Sequence, residues 1–386
     1  MSNYSRLPIS FRRGKGCWLW DANGDQYLDA LSGIAVCGLG HAHPAVSKAI
    51  KEQADLLLHT SNLYDIEPQI LLAQKLNKLC GTETAFFCNS GAEANETAIK
   101  MARRYGSERD IAEPQIIVME GAFHGRTLAT LSATGNEKAK QGFAPLVEGF
   151  IQVPYNDVDA VTALSEDKSI VAVMLEPIQG EGGINIPDEN YLTAIRELCT
   201  ANDWLMITDE IQSGMGRSGH WLAAQGNGVE ADIITLAKGL ANGVPIGACL
   251  ARGKAATLLG PGSHGSTFGG NPLACRAALA VLKTIEQQDL LANASAKGAW
   301  LKQQFEKNLS GNEHIAAIRS RGLLIGIELT QPCAELVAKA LEKRILINVT
   351  AGNVIRLLPP LIIDEDEAQL IVDKVCDLVT EFTAQA

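Results

Sequence analysis

The run Ile-Val-Ala-Val-Met-Leu at 170–175 is apolar at every position. A strand without a polar face must be covered on both sides, which calls for helices on either side of a mostly parallel sheet. Strand-like runs at 85–88, 116–119 and 204–207 alternate with helical patterns at 92–105 and 189–199, and the alternation extends from about residue 85 to 255. The expected class is α/β. No Gly-x-Gly-x-x-Gly follows the first strand, which argues against a nicotinamide site.

From Asn271 the pattern changes. Helices are expected at 273–285 and 290–309, strands at 323–328, 345–349 and 354–358, and a last helix whose start is acidic at 364–367. These read as a smaller α+β domain. We expect residues 1–50 to pack with it as an N-terminal segment, 51–275 to form the large domain, and 276–386 to form the C-terminal small domain. An Asn-Gly turn at 23–24 between two aromatic-rich runs predicts a hairpin near the N-terminus. Pro44 opens a helix carrying Val46, Ile50, Ala54 and Leu57 at helical spacing. His41 and His43 lack further ligands nearby, so no metal is expected.

Two residues stand out against this background. Lys238 ends the apolar run Ile-Ile-Thr-Leu-Ala at 233–237. A lysine there either snorkels to water or is desolvated, and a desolvated amine has a depressed pKa and becomes a nucleophile. Asp209, at the end of another apolar run, would point into the crevice where open α/β sheets bind ligands. Asn89-Ser90-Gly91 between a strand and a helix can form an anion site from free backbone N–H groups, or can simply cap the helix. Phe123 and Arg126 could stack on a flat ring and clamp a carboxylate. Arg356, flanked by Ile355 and Leu357, needs an anion, whether in a structural salt bridge or in a substrate.

Charge and cysteine usage narrow the setting. With 33 Lys+Arg against 44 Asp+Glu the net charge is -11, which disfavours nucleic acid and anionic membranes as partners. The nine cysteines include no Cys-x-x-Cys pair and read as reduced thiols. No run is long and apolar enough to span a bilayer, and a cytoplasmic protein is expected.

Several motifs lie in one order along the chain: Asn-Ser-Gly-Ala-Glu-Ala-Asn at 89–95, Phe-His-Gly-Arg-Thr at 123–127, Glu-Pro-Ile-Gln-Gly-Glu-Gly-Gly at 176–183, Thr-Asp-Glu-Ile-Gln-Ser-Gly-Met-Gly-Arg at 208–217, Ala-Lys-Gly-Leu at 237–240, and Ser-His-Gly-Ser-Thr-Phe-Gly-Gly-Asn-Pro at 263–272. Together they resemble the class III aminotransferases over nearly the whole chain. The resemblance implies fold type I of the pyridoxal-phosphate (PLP) enzymes, with Lys238 and Asp209 catalytic. It implies that Ser90, Gly91, Ala92, Phe123, Asp209, Gln212, Lys238 and Thr267 bind PLP, Thr267 at the phosphate. Arg126, Glu181, Ser266 and Arg356 would bind substrate, Arg356 being released from Glu181 to receive a glutamate carboxylate. Ser266 and Thr267 would reach across the interface of a homodimer with shared sites. The substrates implied are an acylated diamino acid and 2-oxoglutarate. Alternatives are another ω-amine donor, an aminomutase on the same scaffold, and a non-catalytic relative.

Overall fold

The computed structural model describes residues 1 and 3–384. Seven strands form its central sheet in the spatial order Thr84–Cys88, Gly247–Ala251, Ile233–Leu236, Leu205–Asp209, Ile170–Leu175, Gln115–Met119 and Phe150–Val153. Only Gly247–Ala251 runs antiparallel to its neighbours. Every residue of 170–175 is buried, as a strand covered on both faces must be. Alternate side chains divide between two cores. Ile116, Val118 and Ile207 meet Ala98, Ile99 and Ala102 of the helix Gly91–Ser107 on one face. Ile117, Met119 and Met206 share the opposite core with Leu192 and Ile195 of Tyr191–Ala201.

Two smaller sheets complete the fold. Phe11–Lys15, Trp18–Asp21 and Gln26–Asp29 form a meander, with the expected hairpin, and Gln26–Asp29 pairs in parallel with Ile345–Leu346 far along the chain. Ile315–Arg321, Leu324–Leu329, Val354–Leu357 and Asn348–Thr350 form an antiparallel sheet. The long helices Leu290–Asn308 and Glu365–Thr383 pack against one another in this part of the chain.

Three expectations need correction. The stretch 345–349 is not one strand: its halves join different sheets, because Ile345–Leu346 pairs with the N-terminal meander and Asn348–Thr350 with Val354–Leu357. Continuous apolar character does not show which edge a strand seeks. The strand Ile315–Arg321 has no counterpart in the sequence reading; its alternation is blurred because most of its residues are half-buried. The helix Pro44–Ala54 ends before Leu57, which is exposed together with Leu56 and Leu58.

Candidate active site

The carboxyl ends of five central strands open into one cavity of about 390 Å³. Ser90, Gly91 and Ala92 follow Thr84–Cys88, Phe123 and His124 follow Gln115–Met119, and Glu176 follows Ile170–Leu175. Asp209 ends its own strand, and Lys238 follows Ile233–Leu236. Parallel strands all point their carboxyl ends the same way, so residues distant in sequence converge there.

Lys238 adopts φ of +41°, in the left-handed region that a side-chain-bearing residue enters at a cost of about 1–2 kcal/mol. Lys238 is half-buried and lines the cavity. Burial lowers its pKa, and Arg356 acts in the same direction against the opposing charges of Glu181, Asp209 and Glu176. The net effect is a lysine with more of the neutral, nucleophilic form than one in water.

Asp209 is 3% exposed and surrounded by donors. Asn95 Nδ2 donates to its Oδ2 at 2.7 Å, His124 Nδ1 to the same oxygen at 2.8 Å, and the Ile211 N–H to Oδ1 at 3.1 Å. Asn95 is fixed in turn by the Thr235 hydroxyl, which donates to its Oδ1 at 2.7 Å. These are the surroundings an ionised carboxylate requires. Burial works against a charged His124, but its hydrogen bond to Asp209 prevails and raises the imidazole pKa, with Glu176 adding to the effect. The adjacent Glu210 points the other way, as successive strand residues do. It accepts from the Ala223 and Ala224 N–H groups and the Ser213 hydroxyl.

At the opposite end of the cavity Ser90 caps the helix Gly91–Ser107, its Oγ accepting from the Glu93 N–H at 3.2 Å. The N–H groups of Gly91 and Ala92 find no acceptor among the described residues and border the cavity. A β-carbon on Gly91 would lie 2.8 Å from Ile211 Cδ1, so only glycine lets this turn sit so close. The turn is an anion cradle at a positive helix end.

Glu181 and Arg356 stand behind Gln212, which itself lines the cavity. Arg356, wholly buried, donates from Nη1 to Glu181 Oε1 at 2.6 Å and to Gln212 Oε1 at 3.0 Å, and from Nε to Asn348 Oδ1 at 2.9 Å. Burial pushes the Glu181 pKa up, but Arg356 more than reverses this and holds the carboxyl below its ordinary value. Gln212 thus spends its amide on this pair, and no ring is needed to explain its position. Arg126 is exposed, its guanidinium 5.4 Å from the centre of the Phe123 ring. Ser266 and Thr267 do not line the cavity. Ser266 Oγ accepts from Asn89 Nδ2 at 3.1 Å at its rim, and Thr267 faces solvent.

The sequence reading missed Asn95 and left His124 without a role. Asn95 carried a signal: it is an amide on the helix face otherwise made of Ala94, Ala98 and Ala102. Glu176 was also passed over. Its buried carboxylate accepts from the Phe123 N–H at 3.0 Å and the Gly180 N–H at 3.2 Å, tying two cavity loops together. Burial and the nearby Asp209 raise its pKa to about 7, against the opposing pull of His124.

A depressed lysine, a carboxylate fenced by N–H donors, and an anion cradle define a site for a phosphorylated aromatic aldehyde. The family model for Aminotransferase class-III matches residues 1–379, and the chain belongs to this family. It is 55% identical over 383 residues to the acetylornithine aminotransferase of Nitrosomonas europaea, covering 99% of this chain and 98% of that one. A crystal structure of ornithine aminotransferase from Toxoplasma gondii, with partial occupancy of PLP at its active site, matches with a TM-score of 0.95 and 35% identity over 100% of this chain and 93% of the other. The acetylornithine aminotransferase of Elizabethkingia anophelis matches with a TM-score of 0.88 and 35% identity, covering 99% and 96%. Class III aminotransferases are PLP-dependent, and the residues present fit that cofactor. The unclaimed N–H groups of Gly91 and Ala92 suit its phosphate, Asp209 its ring nitrogen, and Lys238 its aldehyde. Among the described residues no cluster of His, Cys, Asp or Glu could hold a metal ion, and no helix is long and apolar enough to cross a membrane.

Proposed function

We propose that this enzyme transfers the terminal amino group of N-acetyl-L-ornithine to 2-oxoglutarate, giving N-acetyl-L-glutamate 5-semialdehyde and L-glutamate, a step of arginine biosynthesis. The observation that carries this reading is the Glu181–Arg356 pair beside Lys238. A transaminase must admit two unlike substrates to one site, and a cation masked by a movable carboxylate accepts a dicarboxylate only when that is needed. The names of the relatives supply the donor.

In this reading PLP supplies an aldehyde that takes up the amino group and a cationic ring that draws electrons from the adjacent carbon. The chain's residues do the rest. Lys238 anchors the cofactor and then moves a proton at its Nζ, a task suited to its lowered pKa. Asp209 holds a proton on the ring nitrogen, kept in place by Asn95 and His124. Phe123 would cover the ring and Ser90, Gly91 and Ala92 would hold the phosphate, while Gln212, its amide already meeting Glu181 and Arg356, would offer the ring hydroxyl its remaining N–H. Arg126 receives the α-carboxylate of the acylated donor at the cavity mouth, and Arg356 receives that of glutamate.

Single-turnover comparison of acetylornithine, succinylornithine, ornithine and 4-aminobutyrate, read by loss of the cofactor's visible absorption, tests the reading. Acetylornithine is expected to exceed ornithine and 4-aminobutyrate by at least about tenfold in rate constant over Kd, or ~1.4 kcal/mol. Arg126→Ala is expected to raise the KM for acetylornithine by about 10- to 100-fold, the worth of a charge-assisted carboxylate contact, and that for glutamate far less. Equal losses would contradict the two roles. Consumption of acetylornithine without formation of glutamate would favour an aminomutase.

We also propose a cytoplasmic homodimer with shared sites. Leu56, Leu57, Leu58, Leu63, Tyr64 and Phe268 are exposed apolar side chains, the kind of surface a partner would cover. The loop bearing Ser266 and Thr267 lies among them, since Phe268 meets His59 and Asn62 holds Ser266. A second copy would cover this face and receive Thr267 at its phosphate and Ser266 at its substrate. Light scattering is expected to give twice the chain mass, with Leu63→Lys shifting the population to monomer and lowering activity in step. The nine unpaired cysteines suit a reducing compartment. The pairing of Gln26–Asp29 with Ile345–Leu346 supports grouping residues 1–50 with the small domain at 276–386, apart from the large domain at 51–275.

A further inference from the structure

Arg356 has five N–H groups, and their use is uneven. Nη1 meets Glu181 and Gln212, Nε meets Asn348 Oδ1, and Nη2 is buried with no partner among the described residues. Asn348 lies directly opposite Arg356 across the antiparallel pair of Asn348–Thr350 with Val354–Leu357, so the two side chains share a face. Because arginine offers no acceptor, the amide must turn its oxygen toward Nε.

The main chain around Glu181 is also tied down. The Thr350 hydroxyl donates to the Glu181 carbonyl, while Arg319 donates from Nη2 to Gly183 O at 2.8 Å and from Nε to Ile184 O at 3.1 Å. Arg319 is itself paired with Glu328 at 2.5 Å. The loop is therefore pinned to the antiparallel sheet, and what remains free to move is the Glu181 side chain, a third of which is exposed.

We propose that Asn348 is a positioning residue for the dicarboxylate half-reaction: it occupies Nε and so dedicates the Nη1/Nη2 edge of Arg356 to exchange between Glu181 and the carboxylate of the 2-oxo acid. The guanidinium stays still, Glu181 swings away, and the incoming carboxylate takes two parallel N–H bonds, one of them from the otherwise unpartnered Nη2. A neutral amide suits this role because an aspartate would neutralise Arg356 permanently and compete with the substrate. The inference rests on the assignment of Arg356 to the dicarboxylate.

The test measures both half-reactions in holoenzyme carrying Asn348→Leu, which is close in size and lacks the acceptor, and Asn348→Asp, which keeps the acceptor and adds a charge. Both are expected to raise the KM for 2-oxoglutarate and for glutamate about tenfold, while the KM for acetylornithine stays within about twofold and the cofactor's visible band is unchanged. Should Asn348→Leu fail to fold, the same KM comparison in Asn348→Asp decides alone. An unchanged KM for 2-oxoglutarate, or an equal rise for both substrates, overturns the inference. Arg356→Leu separates this from the underlying reading. If it leaves the KM for 2-oxoglutarate unchanged, the assignment of Arg356 fails; if it raises that KM and the Asn348 variants do not, only the role of Asn348 fails.

Discussion

Lys238→Ala is expected to lower turnover by at least about 10⁴-fold and to abolish the visible absorption of the cofactor-bound enzyme. Loss of the amine removes two things at once, the covalent anchor for PLP and the group that carries a proton to and from the reacting carbon, and residues that act as one unit fail together. The fold should tolerate the change. Burial outweighs the attraction of Glu181, Asp209 and Glu176 for the Lys238 amine, so the alanine variant sheds a desolvation cost that offsets the lost attraction, though its backbone strain at positive φ remains. Thermal unfolding of the cofactor-free variant is therefore expected to match that of the cofactor-free parent closely. Retained turnover, measured as glutamate formed from acetylornithine and 2-oxoglutarate, would remove Lys238 from the chemistry.

The second large effect is expected at Asp209. Asp209→Asn should lower kcat by about 10³-fold, the scale of losing a preorganised charge from a water-excluded site. Its carboxylate takes three N–H donors, and two of them, Asn95 Nδ2 and His124 Nδ1, meet on one oxygen. An asparagine must either turn its own N–H₂ toward those donors or leave one facing nothing, and it withdraws the anion that raises the His124 pKa. The measurement is kcat with saturating donor and acceptor, alongside the visible spectrum. Lys238 is intact in this variant, so cofactor should still bind, with its band shifted in position. A loss under tenfold would mean that the ring nitrogen does not depend on this carboxylate.

How much of this was legible in the sequence follows from the range of the interactions. The central strands could be read because 170–175 is apolar throughout and the carboxylates and lysine fall at the ends of such runs; the structure buries those runs and directs their ends into one cavity. Lys238, Asp209, Ser90, Gly91, Ala92, Phe123, Arg126 and Gln212 do border one space. Glu181 and Arg356 meet across 175 residues of chain, a contact that an arginine in an apolar strand demands without naming its partner. The supporting residues were hidden for the same reason. His124 and Glu176 act through hydrogen bonds to groups remote in sequence, Asn95 shows locally only as an amide on an alanine face, and Asn348 meets Arg356 only once their two strands pair. Edge choice in the small sheets, where 345–349 splits between two partners, likewise depends on the arrangement of whole elements.

The central claim is that Nζ of one lysine holds the cofactor. Borohydride reduction of the holoenzyme followed by peptide mapping tests it directly. The expected result is a single pyridoxyl adduct on the peptide containing Lys238, and none in Lys238→Ala. An adduct on a different lysine, or a protein that keeps its visible band and yields no adduct, would contradict the account.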